Sequence, residues 1–150
     1  MRPNYKKSLE LVRDWCLDKG YEDVTFDHND ISYIEWEGTN LNKPKIIKIE
    51  QKYNNEIKLY LLLHEIGHHQ LRKNKKNYHK KFPILAYAET DKKYIRHVSY
   101  RVTSLEEEFK AWEEGYKLGI KFGINIRMDK WQWIKNRCLM KYIRYYSGKK

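Results

Sequence analysis

Residues 5–21, YKKSLELVRDWCLDKGY, carry Leu9, Val12, Cys16 and Leu17 on one stripe at helical spacing and stop at Gly20, the pattern of an amphipathic first helix. The period then changes. Val24 and Phe26, a polar turn over 27–30, and the branched and aromatic run 31–36 read as a hairpin, and PKIIKIEQ at 44–51 reads as a third short strand. An asparagine in NNEIKLY caps a strongly apolar helix, LYLLLHEIGHHQL, at 59–71. Segment 72–81, RKNKKNYHKK, has no apolar period and is expected as an exposed loop or a frayed helix end, and Pro83 forbids an uninterrupted helix beyond it. SLEEEFKAWEEGYKLGIKFG is helical again, and DKWQWIKNRCLMKYIRYY places Trp131, Ile134, Cys138 and Tyr142 on one side of a closing helix. No repeat or linker divides residues 1–150, so a single domain is expected. Its order of helix, three strands, then helices is α+β.

Composition narrows the class. With 150 residues, 41% of them hydrophobic, 13 Tyr and 5 Trp, the chain can form a packed core despite its charge, which excludes global disorder. The N-terminus lacks the apolar stretch of a secretory signal, and no apolar run approaches the roughly 18–20 residues that span a bilayer. Cys16 and Cys138 lie far apart and outside any Cys-x-x-Cys pair, so both are read as reduced and structural. A cytoplasmic protein without membrane contact is expected. The net charge of +11 raises the prospect of an acidic partner such as nucleic acid, with 72–81 either a contact surface or simply solvated lysines.

The apolar helix poses the chemical question. A buried helix has no need of imidazoles, yet His64 and His68 stand at i and i+4, one above the other, where both rings can face one ion. Glu65 sits between them, giving H-E-x-x-H, in which the glutamate is general base and not ligand. Zinc accepts neutral imidazole, acidifies water and polarises a carbonyl; the adjacent carboxylate then moves the proton to the leaving amine. Gly67 leaves room beside His68. His69, about 100° further round, is read as a supporting or surface residue.

A hydrolytic zinc site normally has three protein ligands. In TSLEEEFKAWEEG the third is Glu107 or Glu108, which flank a stripe of small residues, Ala111, Gly115 and Gly119, suited to close packing on the histidine helix. A capping box of Ser104 with Glu107, or of Thr103 with Glu106, is compatible with this stretch, as is an acidic first turn with no metal at all. His79, in NYHKKF, is the third candidate. Tyr78, His79, Tyr94, His97 and Tyr100 are candidates to stabilise an oxyanion.

LYLLLHEIGHH followed about forty residues later by Glu108-x-x-Ala111 resembles the gluzincin metallopeptidases, particularly the small ImmA/IrrE-like and phage-encoded members. The resemblance spans roughly 46–119 and is specific at the histidine motif. It implies a small zincin-like domain with a three-stranded sheet beside the active-site helix, zinc held by His64, His68 and Glu108, and Glu65 as general base. It also implies limited proteolysis of a regulatory protein in a phage or mobile element. One departure is Trp112, where many gluzincins carry Asp or Asn, so the hydrogen bond usually supplied there must come from another residue, or Glu107 is the ligand. Two alternatives stand beside this reading. One is similarity to SprT-like proteases, which act on DNA-associated proteins with a third histidine; the other is a non-catalytic, zinc-containing, basic nucleic-acid-binding module.

Overall fold

The computed structural model describes residues 3–38 and 40–148. Helix α1 (Tyr5–Asp18) starts beneath Asn4, whose side chain accepts the Lys7 amide at 3.0 Å and so satisfies one orphan donor of the first turn. It buries Leu9, Val12 and Cys16. Leu17, expected on that stripe, is exposed, and Trp15 packs on the core instead, edge-on to Phe122 at 5.4 Å. The larger indole fills the flank of the stripe that meets protein. Gly20, at φ 102°, ends the helix in a conformation that side chains rarely adopt.

The sheet differs from the expected hairpin of the first two strands. Strand β1 (Asp23–Asp27) pairs parallel with β3 (Asn40–Glu50), β2 (Tyr33–Glu37) pairs antiparallel with β3, and the order is β1-β3-β2. The longest strand therefore lies in the middle, beginning earlier than the 44–51 read from sequence. Its central place gives Ile47 a partner on each side, Val24 and Ile34, and leaves Ile47 and Ile49 fully buried. Pro44 stands opposite Trp36, where the β2 register shifts, and beyond the β1 pairing that begins at Ile46; a missing N–H is tolerated at such an irregularity.

Helix α2 (Asn55–Arg72) begins as expected, with Asn54 accepting the Ile57 amide at 3.0 Å. It is buried nearly all round: Leu59, Leu61, Leu62, Leu63 and Ile66 have 0–1% of their surface exposed. An α-helix with that pattern needs neighbours on every side, and α2 contacts α1, β3, α5 (Val98–Lys121) and α6 (Met128–Tyr146). Each of these side chains contributes roughly 1.5–3 kcal/mol by leaving water.

The α2 and α5 backbones nearly touch. A Cβ on Gly67 would lie 2.0 Å from the Ala111 carbonyl oxygen, and one on Gly115 would lie 2.5 Å from that of Leu63. Gly67 thus faces Ala111 while Leu63, one turn earlier, faces Gly115, so the helices run antiparallel. The glycine at 67 serves this helix contact, not space around a metal.

The basic segment is more ordered than its composition implies. Residues 75–81 form a short helix, α3 (Lys75–Lys81), capped by Asn74, with Tyr78 buried; α4 (Pro83–Thr90) then begins at the proline, followed by a 3-10 turn over Lys92–Arg96. Helix α5 starts at Val98, six residues before Ser104, so neither capping box forms: Thr103 and Ser104 lie within the helix. In α6, Trp131 and Ile134 are buried with Leu139, while Cys138 is half-buried and Tyr142 is exposed. Cys16 and Cys138 are free, and burial pushes both thiols up to about 12, which leaves them protonated and unreactive at neutral pH. No helix among the described residues is long and apolar enough to cross a membrane.

The N-terminal end of α2 is fastened by a polar cluster. Arg127 donates to Glu56 through Nε at 2.8 Å and also through Nη2; Tyr60 donates to the same carboxylate at 2.7 Å, and the Arg127 amide donates to the Tyr60 hydroxyl at 2.9 Å. The Arg127 hydrogen bonds hold the Glu56 carboxyl below its usual range. A depressed carboxyl contributes stability that is present above its unfolded pKa, about 4.3, and is lost as pH falls through the folded value. Arg127→Met should therefore lower Tm by a few degrees at pH 7, and thermal melts across pH should show the difference from wild type shrinking below about pH 4.

Candidate metal centre

Close contact of α2 with α5 brings two histidines and three carboxylates together. His64, Glu65, His68, Glu107 and Glu108 are all at least nine-tenths buried. Two overlapping sets, His64 with Glu65 and His68, and His68 with Glu107 and Glu108, each offer ligand atoms within 4.8 Å of one another and could hold a metal ion. Glu108 links the sets: its Oε1 lies 3.3 Å from His64 Nε2, and its Oε2 lies 2.8 Å from His68 Nε2.

Glu107 occupies a different position. Its Oε2 meets the outer nitrogen of the second imidazole, His68 Nδ1, at 3.2 Å. The same oxygen accepts from Arg72 Nε at 3.2 Å and from the Tyr78 hydroxyl at 3.4 Å. Arg72 and Tyr78, both from the basic segment, thus support the carboxylate that orients His68, as an outer carboxylate orients metal-binding histidines. Arg72 is itself sandwiched between the Trp36 and Tyr78 rings at 5.2 and 5.4 Å.

His64 is oriented by stacking. The Trp112 ring lies on it at 4.1 Å with 7° between planes, and Trp131 meets Trp112 edge-on at 5.1 Å. Glu65 Oε1 is 3.4 Å from His64 Nδ1, without the alignment of a hydrogen bond. Trp112, the departure noted in the sequence, therefore supplies an aromatic face to His64, while the carboxylate that accepts from an imidazole is that of Glu107, at His68 Nδ1.

Burial disfavours both imidazolium ions, but the carboxylates outweigh it: Glu108 and Glu65 raise the pKa of His64, and Glu108 and Glu107 raise that of His68 well above its usual value. Conversely, burial raises the carboxyls, and His68 with its neighbours outweighs it, holding both Glu107 and Glu108 below their ordinary range. The cluster is a compact set of opposed charges. His64 Nδ1 and Nε2, Glu108 Oε1 and Trp112 Nε1 are nevertheless buried without a hydrogen-bond partner. Each such atom costs about 1–3 kcal/mol. Two of these atoms, His64 Nε2 and Glu108 Oε1, are of the kinds that ligate metals and would be satisfied by a bound cation, so the donor set fits a metal.

Other expected residues lie elsewhere. His79 pairs with Glu89 at 3.2 Å and belongs to neither ligand set. His69 meets the Tyr21 hydroxyl through Nδ1 at 2.7 Å, and burial lowers its pKa, so it is a half-buried neutral residue joining α2 to the approach to β1. Of the oxyanion candidates, Tyr78 is committed to Glu107, and Tyr94 and His97 pack on each other at 5.3 Å. The cleft at the site is instead walled by Tyr142, Tyr145 and Tyr146 of α6. From sequence the tyrosine-rich closing helix reads by default as core, with Tyr142 on the stripe of Trp131 and Ile134; Tyr142 and Tyr145 are instead exposed at the cleft.

Comparison with family models, with curated proteins and with solved structures finds no match to this chain.

Proposed function

We propose that the protein is a zinc-dependent metallopeptidase, with His64, His68 and Glu108 as ligands and Glu65 as general base. The observation that carries this reading is the carboxylate of Glu108 spanning the Nε2 atoms of both histidines, with His64 Nε2 and Glu108 Oε1 buried and unpaired. Two imidazoles and a carboxylate suit zinc, which when bound supplies a Lewis acid for the peptide carbonyl and lowers the pKa of water. Glu107 holds His68 through Nδ1, and Trp112 fixes the plane of His64, so both rings are set before any ligand arrives. Glu65 borders the cleft beside His64 and Glu108, where its carboxylate takes the proton of the attacking water and passes it to the departing amine. A structural metal site needs the histidines but not a base beside them.

Glu65→Gln separates binding from chemistry. The variant should keep the zinc stoichiometry of wild type and lose at least about 10²-fold in peptide hydrolysis. Unchanged hydrolysis would reject the general-base role. Equal zinc content together with hydrolysis in neither protein would favour the non-catalytic reading.

A further inference from the structure

A cavity opens on the cluster of His64, Glu65 and Glu108. It measures about 340 Å³, and these three residues form one end of it. Pockets for small organic groups span roughly 300–1,000 Å³, so this one is at the small end, suited to one large side chain and its adjoining backbone. Leu61 of α2, Ile31 from the β1–β2 connection, and Tyr142 and Tyr145 of α6 form its walls. Ile31 is 54% exposed and Tyr145 79% exposed, an apolar and aromatic surface that water covers in the free protein.

The charged groups lining the cavity away from the cluster are already matched. Glu50 is buried; its Oε1 accepts from the Ser32 hydroxyl at 3.3 Å, and its Oε2 lies 3.4 Å from Lys141 Nζ. Lys141 donates to the Asp30 carbonyl at 2.8 Å as well. The carboxylate and the ammonium balance each other here, and Lys52 Nζ lies 3.5 Å from the same Glu50 oxygen, so an incoming charge must compete with these contacts, and an unpaired charge moved into such a cleft is costly. An apolar group meets no such penalty and gains by covering Ile31 and the exposed faces of Tyr142 and Tyr145.

We infer that this cavity is the specificity pocket of the site, and that it selects peptides carrying a large apolar or aromatic side chain next to the bond to be cleaved. The inference rests on the peptidase reading for its substrate class. Selection comes from the α6 tyrosines, which lie outside the ligand set.

Binding and cleavage test the two readings separately. A peptide array with one varied residue in a constant Gly/Ser background is probed with zinc-loaded Glu65→Gln protein, and cleavage of the same peptides is followed with wild type. Peptides with Phe, Tyr, Leu or Ile at the varied residue should be retained selectively. Tyr142→Ala and Tyr145→Ala, with zinc content and circular dichroism unchanged, should each reduce that retention at least fivefold; Tyr142→Phe should retain it. Equal retention of all peptides, none at all, or preference for Asp, Glu, Lys or Arg would overturn the pocket assignment, whether or not wild type cleaves them. Apolar selection in the binding arm, sensitive to the tyrosines, with no cleavage by wild type would leave the pocket standing and sink the peptidase reading.

Discussion

Replacing Glu108 with alanine should empty the metal site while replacing His79 should not. Wild type is expected to purify with, or take up, about one zinc per chain. Glu108→Ala removes the carboxylate that contacts the Nε2 atoms of both His64 and His68, leaving two ligands on one helix; affinity should fall by well over the ~10–100-fold typical of an outer partner. Glu107→Gln should fall in that smaller range, because Glu107 reaches only the Nδ1 of His68 and acts by orienting the ring. His79→Ala, which removes the ion-pair partner of Glu89 and a tilted contact to the Tyr78 ring but no ligand, should bind zinc as wild type does. Competition against a zinc chelator gives the ranking, and circular dichroism checks that each variant is folded. If Glu107→Gln empties the site while Glu108→Ala stays loaded, the ligand assignment is off by one residue. Loss on His79→Ala with retention on Glu108→Ala would restore the three-histidine alternative.

The largest loss of stability is expected from a single methyl group. In Gly67→Ala the new Cβ would fall 2.0 Å from the Ala111 carbonyl oxygen and 3.0 Å from the Gly115 amide nitrogen, both backbone atoms that cannot rotate aside. Relief requires the two helices to separate. Overpacking of a core commonly costs 1–3 kcal/mol; with backbone on both sides, at least about 3 kcal/mol is expected, or roughly 6–12 °C in Tm for a domain of this size. Gly119→Ala is the internal control. Its nearest obstacle, at 2.6 Å, is Ile126 Cδ1, the end of a flexible side chain, so its cost should stay near 1 kcal/mol. Since the same helix spacing sets the distance from His64 and His68 to Glu108, Gly67→Ala should also weaken zinc binding under conditions where it remains folded. A Tm within 2 °C of wild type would show that the helices tolerate more separation than their backbones indicate.

The elements read from periodicity and those set by tertiary partners fared differently. Helix α2 declared itself through Asn54 and an apolar run too dense for a surface helix, and H-E-x-x-H marked the cluster because i, i+4 spacing is a local property. Strand order was not local: Val24 and Ile34 look like members of one hairpin until Ile47 is placed between them. The start of α5 was misjudged because Ser104 and Thr103 are good caps in isolation, whereas 98–103 are helical through neighbours that the sequence does not display. The choice between Glu107 and Glu108 was invisible for the same reason. Both flank the small-residue stripe, and only the approach of α2 places one at the inner nitrogens and the other at the outer. Arg72 and Tyr78 were hidden by their setting among lysines, whose composition reads as solvent-exposed.

The fastening of α2 from downstream also has a consequence in time. Gly67 waits for Ala111, and Glu56 waits for Arg127, 71 residues later. At a synthesis rate of about 5–20 residues per second, that interval lasts roughly 4–14 s on the ribosome. α5, residues 98–121, arrives only in the later part of that interval and α6, from residue 128, only after it, so Leu59, Leu61, Leu62 and Leu63 wait uncovered and the segment that bears the motif is a part of the nascent chain in need of a chaperone.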